Sequence, residues 1–139
     1  MPFDFAPETD LAPETRFATA RQRRGKRNYL TGIAAEEAVC RRYQSAGYDL
    51  VACRKRCPEG EIDILMRRGV QLVAIEVKSS VTHDLALEHA SPDQLNRVSM
   101  ACERCMQDMA GDGVSDMRLD LALVDGQGRI EVMESFLYF

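Results

Sequence analysis

The stretch Val70 to Lys78 (VQLVAIEVK) constrains the fold more than any other part of the 139-residue chain. It is nearly all apolar until it reaches Glu76, which is how a strand buried on both faces reads. Such a strand lies at the centre of a sheet that is covered on both sides, so the chain must bring helices to it. A domain of this length has the means. It buries about 68–70% of its unfolded surface, enough for a core without staples.

The flanking segments fit that frame. Glu61 to Arg67 (EIDILMR) alternates as a strand, with Ile62, Ile64 and Met66 on one face and Asp63 with Leu65 on the other. Arg68-Gly69 reads as the turn that joins it to the central strand. Tyr48 to Cys53 (YDLVAC) is a shorter strand before it, followed by a loop, RKRCPEG, that carries Pro58 and Gly60. Residues 79–90 read as a loop. Met117 to Val124 is a fourth strand, Asp125 to Gly128 a turn, and Arg129 to Met133 a fifth strand, with the apolar tail ESFLYF docked against the rest.

Two helices complete the pattern. The first spans Lys26 to Ala46, with Tyr29, Ile33, Cys40 and Tyr43 at helical spacing and Gly47 as its stop. Glu36 belongs to that apolar stripe, whereas Glu37 points about 100° away. A carboxylate facing the core needs a partner, a proton or a metal. The second helix opens at Ser91-Pro92-Asp93-Gln94, an N-cap serine with proline at the first position and Gln three residues on. Its stripe is Leu95, Val98, Cys102, Cys105, Met106 and Met109, and Gly111 ends it. Met100, Met106 and Met109 read as core filler. The order is α-β-β-β-α-β-β, an α/β chain with a mixed central sheet flanked by helices.

The net charge of −4 hides a division along the chain. Residues 1–15 carry four acids and no Lys or Arg, residues 16–56 a surplus of eight positive charges, and residues 57–139 a surplus of eight negative ones. A basic arm can attract a polyanion while carboxylates gather elsewhere. The run RQRRGKR (Arg21 to Arg27) reads either as a solvated tail or as a nucleic-acid-contacting arm. Residues 1–24, with APET repeated once, are expected to be a disordered lead-in with a basic segment at its end, and residues 25–139 a single domain. No apolar run reaches the ~18 residues of a membrane span, and MPFDFAPETD does not read as a secretory signal. Five cysteines without an export signal imply reduced thiols and a cytoplasmic chain.

The chemistry concentrates at one end of the central strands. Glu76 and Lys78 share a face of their strand. With a turn at Arg68-Gly69, Asp63 lies opposite Ala74 and diagonal to Glu76, within reach of it. Facing carboxylates repel unless a cation sits between them, and oxygen-only ligands suit Mg²⁺ or Mn²⁺. Such a cation would hold a scissile phosphate and lower the pKa of a bound water, while Lys78 orients that water or neutralises developing charge. The bare E-x-K triplet is weak: with eleven Glu and three Lys, chance supplies it about one time in four. Its position at the end of an apolar strand, beside a neighbouring acid, is what gives it weight. A surface Glu–Lys pair is the alternative.

GEIDIL (Gly60 to Leu65) followed by VAIEVKSS (Val73 to Ser80) resembles the YraN-like family of endonucleases, which belongs to the PD-(D/E)xK restriction-endonuclease-like superfamily. The resemblance runs from about Asn28 to Phe139 and includes Gly32 to Glu36, the A-G-Y turn at Ala46 to Tyr48, and the R-x-D pattern at Arg118 to Asp120. It implies a restriction-endonuclease-like αβββαβ core. It also implies Asp63 and Glu76 as metal ligands, Lys78 as the water-positioning residue, Glu36 as a helix-borne acid, and Arg56 as a phosphate contact. Two positions depart from the family pattern. Ser80 stands where a basic residue is usual, and Gln94 where lysine is frequent. Gln94 is either a site residue, as in other superfamily members, or simply part of the capping box.

The resulting expectation is a Mg²⁺- or Mn²⁺-dependent endonuclease acting on nucleic acid, DNA ahead of RNA, with Glu36, Asp63, Glu76 and Lys78 as its catalytic set. The Val77 backbone carbonyl is a further metal ligand, and Arg54, Lys55, Arg56 and Gln94 contact the nucleic acid. A homodimer would suit two-strand cutting. The alternative is a non-catalytic nucleic-acid-binding module that keeps the fold, which Ser80 and Gln94 motivate. A protein-interaction scaffold with a merely structural acidic cluster ranks lower. Cys53, Cys57, Cys102 and Cys105 as a zinc or iron–sulfur site also ranks below a hydrophobic role for the helical pair. Ordinary loop positions are preferred to functional ones for His83 and His89. Asp120 either supports the sheet end near the site or faces solvent.

Overall fold

Five strands form one mixed sheet in sequence order: β1 (Asp49–Arg56), β2 (Glu61–Arg68), β3 (Gln71–Ser79), β4 (Asp116–Val124) and β5 (Ile130–Tyr138). The computed structural model describes residues 19–138. The β3–β4 pair is parallel and the other three pairings are antiparallel. A parallel pair needs a long crossover. Residues 80–115 supply it, carrying α2 (His83–Glu88) and α3 (Pro92–Asp108). One further helix, α1 (Ala20–Ser45), precedes the sheet. The restriction-endonuclease-like αβββαβ order expected from the sequence is compatible with this architecture.

The chain divides into two units, residues 1–31 and 32–139. In the first, Thr19 and Gln22 form a reciprocal cap: Gln22 N–H donates to Thr19 Oγ1 at 3.1 Å and Thr19 N–H to Gln22 Oε1 at 2.8 Å. This cap starts α1 six residues before Lys26, inside the segment expected to be a lead-in. Residues 1–18 of that segment lie outside the described residues. The second unit holds the sheet.

Leu72 to Glu76 of β3 are all buried, as a central strand requires. On one face Val98, Ala101, Cys102 and Cys105 of α3 pack on Leu65, Leu72, Ala74 and Leu119. On the other, Ala35, Val39 and Tyr43 of α1 pack on Ile64, Met66, Val73 and Ile75. At about 25 cal/mol per Å² of apolar surface, these two layers are the main stabilising term of the unit. Cys102 and Cys105 therefore act as small hydrophobes, and burial pushes their thiols up to about 12 and about 11.

Several sequence expectations need correction. Among the described side chains of α1 the buried stripe is Ala35, Val39 and Tyr43, flanked by Ile33 and Cys40; the side chain of Tyr29 lies outside the described residues. Ile62 packs with Leu65 in the α3-side core, not with Ile64 and Met66, because strand alternation breaks near Asp63, where the β2–β3 ladder ends. Within residues 79–90 a six-residue helix forms, started by Thr82, whose hydroxyl accepts the Leu85 N–H. The tail continues β5, with a register shift between Leu119 and Leu121 of its partner strand and Ser135 at φ 53°. Met100 is 45% exposed, whereas Met106 and Met109 pack on the core. Among the described residues no helix is long and apolar enough to cross a membrane.

Candidate functional site

The β2–β3 hairpin fixes the acidic pair. Arg68 pairs with Gln71, so the turn is Gly69-Val70, with Gly69 at φ +63° as its first residue. That is where a two-residue hairpin of the II′ kind wants glycine. The register therefore differs by two residues from a turn at Arg68-Gly69. A two-residue shift keeps every side chain on its face but brings Asp63 level with Glu76, not diagonal to it. The regular ladder ends at Ile64–Ile75. Beyond it, the Val77 N–H donates to Asp63 Oδ2 at 2.9 Å, and the Asp63 N–H to Glu76 Oε1 at 3.4 Å. Acidic side chains thus replace ladder bonds where the two strands separate.

Glu76 is 1% exposed. Burial and then the charge of Asp63 push its carboxyl up to about 8, with Lys78 pulling the other way. Burial likewise raises Asp63, opposed by the Val77 N–H and by Lys78. Two partly satisfied carboxyl groups held together at a half-buried site form an all-oxygen donor set that would suit a hard cation. Mg²⁺ commonly uses one or two carboxylates and completes its shell from water and substrate phosphate. Among the described residues no three His, Cys, Asp or Glu side chains assemble as a cation cage. Any cation here would draw its remaining ligands from backbone, water or substrate.

Lys78 and Gln94 join the site from β3 and α3. The Lys78 ammonium donates to Gln94 Oε1 at 2.6 Å, and Gln94 Nε2 donates to Glu76 Oε2 at 3.4 Å. The Gln94 backbone N–H is capped by Ser91 Oγ at 3.1 Å. Capping and site contact are therefore both served by Gln94, through different groups.

Glu36, on α1, stands close enough to the acidic pair for the charge of Asp63 to act on it. Its carboxylate accepts Arg54 Nε and Nη2, each at 3.0 Å. Burial raises its pKa, the Arg54 hydrogen bond opposes, and Asp63 adds to the rise. Arg54 falls level with Asp63, between the pairs Cys53–Ile64 and Lys55–Ile62. It has φ 51°, a conformation that costs a non-glycine residue about 1–2 kcal/mol. Strained backbone of this kind clusters at active sites and ligand clamps. Beside this pair, between α1 and β1, is an open groove of about 1000 Å³ that also exposes Cys40, Arg41 and Cys53.

The remaining candidates separate. Arg56 is exposed and pairs with Glu61 at 3.5 Å, while Lys55 is half-buried. His83 lies 2.9 Å from the Arg129 carbonyl and faces Asp125 and Glu131, and His89 caps α2. Neither histidine contacts the acidic pair. Asp120 does not face solvent. It is fully buried, binds Arg118 through both oxygens and accepts Tyr43 Oη at 2.6 Å and the Ser135 N–H at 2.9 Å. Arg118 also reaches Tyr48 Oη. This network ties α1, β4 and β5 together, and its partners are too distant in sequence to be read from R-x-D alone. A cleft of about 460 Å³ opens at Asp63 and Gln94 and includes Arg97, a residue with no sequence signal of its own.

Residues 35–124 match the uncharacterised protein family UPF0102. A UPF0102 protein of Dinoroseobacter shibae is 43% identical over 127 residues, covering 89% of this chain and 90% of that protein. One from Ruegeria pomeroyi is 41% identical over 112 residues, 81% of this chain and 91% of its own. One from Cereibacter sphaeroides is 37% identical over 111 residues, 80% and 95%. Glu36, Asp63, Glu76, Lys78 and Gln94 all fall inside the matched stretch. The chain belongs to the UPF0102 family, the YraN family that its GEID and EVK segments resemble.

Proposed function

We propose that this protein is a divalent-cation-dependent nuclease that hydrolyses phosphodiester bonds of nucleic acid, DNA in preference to RNA. The observation that carries the reading is the Asp63–Glu76 pair at the open end of β2 and β3, with Lys78 on the same strand. Asp63, Glu76 and the Val77 backbone carbonyl would hold Mg²⁺ or Mn²⁺. When bound, the cation supplies charge neutralisation at the phosphodiester. Lys78, kept in place by Gln94, orients the attacking water and offers its positive charge to the developing oxyanion. Glu36 completes the acidic cluster, and Arg54 sets its position. Lys55 and Arg56 face the backbone of the nucleic acid, so affinity falls steeply with salt. A cytoplasmic location and a homodimer for two-strand cutting belong to the same reading.

Calorimetric titration of Mn²⁺ into the wild type and Asp63→Ala tests it. Binding by the wild type that is lost in a folded Asp63→Ala supports the reading; equal heats in both contradict it. A second reading, a nucleic-acid-binding module without catalysis, draws on Ser80 and on the engagement of Lys78 by Gln94. It would show as salt-sensitive binding of polynucleotides with no cleavage.

A further inference from the structure

We propose that Arg97 grips a phosphate of the substrate beside the acidic pair. The inference rests on the nuclease reading and adds a residue to it. Helix α3 carries Arg97 and Arg104, seven residues apart and so on one face, with only about 20° of drift. Their situations differ. Arg104 is engaged by the loop between β1 and β2, where its Nε and Nη2 donate to the two oxygens of Glu59 at 2.8 and 2.6 Å. Arg97 has no hydrogen-bond or ion-pair partner among the described residues.

The same loop fixes where Arg97 stands. A Cβ at Gly60 would lie 3.1 Å from Arg97 Cβ and 3.2 Å from its backbone C and O. The loop is therefore pressed against α3 at this residue, where any side chain at position 60 would have to push the helix back by a few tenths of an ångström. The cleft of about 460 Å³ beside it is lined by Gly60, Glu61, Asp63, Gln94, Arg97 and Val98. Gln94, one helical turn earlier, bridges Lys78 and Glu76. Arg97 is thus an unspent cation on a fixed backbone, at a cleft whose other charged side chains are the carboxylates of Glu61 and Asp63. A phosphate bracketed by a cation on the acids and by the planar fork of an arginine is a chemically complete occupant.

The test is fluorescence anisotropy of a labelled single-stranded and duplex oligonucleotide with the full chain, Ca²⁺ replacing Mg²⁺, across a salt series. Arg97→Gln is expected to weaken binding about tenfold and to lower the salt slope by about 1. Arg97→Lys is expected to keep the slope and recover only part of the affinity, because it keeps the charge and loses the fork. It also decides the matter if Arg97→Gln does not fold. Wild-type binding left unchanged in affinity and slope by Arg97→Gln overturns the role of Arg97 alone. A wild type that binds neither oligonucleotide overturns it together with the nuclease reading.

Discussion

The Asp63 carboxylate accepts the Val77 N–H at 2.9 Å, taking the place of a ladder bond where β2 and β3 separate. The acid is thereby fixed by backbone, and its charge and its hydrogen-bonding role can be removed independently. Asp63→Asn keeps an acceptor for Val77 and removes a charge next to Glu76. It is expected to melt at or above the wild type in EDTA and to bind no Mn²⁺. Asp63→Ala loses the acceptor as well and is expected to melt lower, by about 1–3 kcal/mol of stability. Thermal unfolding of both variants beside a Mn²⁺ titration checks the pair.

Glu76 gives the cation-free protein a pH dependence of definite sign. Its folded pKa of about 8 lies above the ordinary 4.5, chiefly through burial. Between those values the folded state holds a proton that the unfolded state has released. The stability that Glu76 contributes is therefore fully present below pH 4.5 and is lost as pH rises through about 8, with a slope of at most about 1.4 kcal/mol per pH unit. Mn²⁺ competes with that proton, so its stabilising effect should grow over the same window. Melting curves in EDTA from pH 5 to 8 are expected to slope for the wild type and to flatten for Glu76→Gln. Identical curves would refute the assignment.

Arg54 offers a test of strain that is independent of its contacts. Arg54→Ala and Arg54→Gly both delete the side chain, but only glycine is at ease at φ 51°. Arg54→Gly is expected to be the more stable of the two by about 1 kcal/mol. Both should lose cleavage activity through Glu36, which Arg54 holds at 3.0 Å. Chemical denaturation of the two proteins side by side reads the difference.

The network around Asp120 is a stability element. Asp120→Ala would leave the buried Arg118 guanidinium without its bidentate partner and free Tyr43 Oη. Breaking a buried pair in this way costs about 3–5 kcal/mol. Tyr43→Phe removes one hydrogen bond to a carboxylate and is expected to cost about 1.5–3 kcal/mol. Urea unfolding should rank the two in that order.

The layered fold was legible because β3 announces itself: an apolar run from Leu72 to Ile75, closely following the turn glycine Gly69, reads as a doubly covered strand. The acids were legible for the same reason, since they interrupt that run and its neighbour. The register was not, because two-residue turns at Arg68-Gly69 and Gly69-Val70 satisfy the same alternation. The pairing of Arg68 with Gln71, a contact across the strands, is what distinguishes them. Helix α2 has six residues, too few for periodicity, and its one signal is the cap at Thr82. The end of β5 is masked by the irregularity near Ser135. Gln94 read as either a capping or a site residue, and its backbone N–H and side chain serve the two separately. Arg97 and the partners of Asp120 depend on contacts between distant segments, which a linear pattern does not carry.

The most direct measurement is cleavage of a labelled panel of single-stranded, duplex, flapped and four-way-junction DNA, with matching RNA, in Mg²⁺ or Mn²⁺. Wild type would run beside folded Asp63→Ala and Lys78→Ala. The expected result is cation-dependent cutting of at least one DNA by the wild type, abolished in Asp63→Ala and reduced about 10²–10³-fold in Lys78→Ala. Cutting that survives in Asp63→Ala, or a wild type that binds the panel and cuts none of it, would contradict the account.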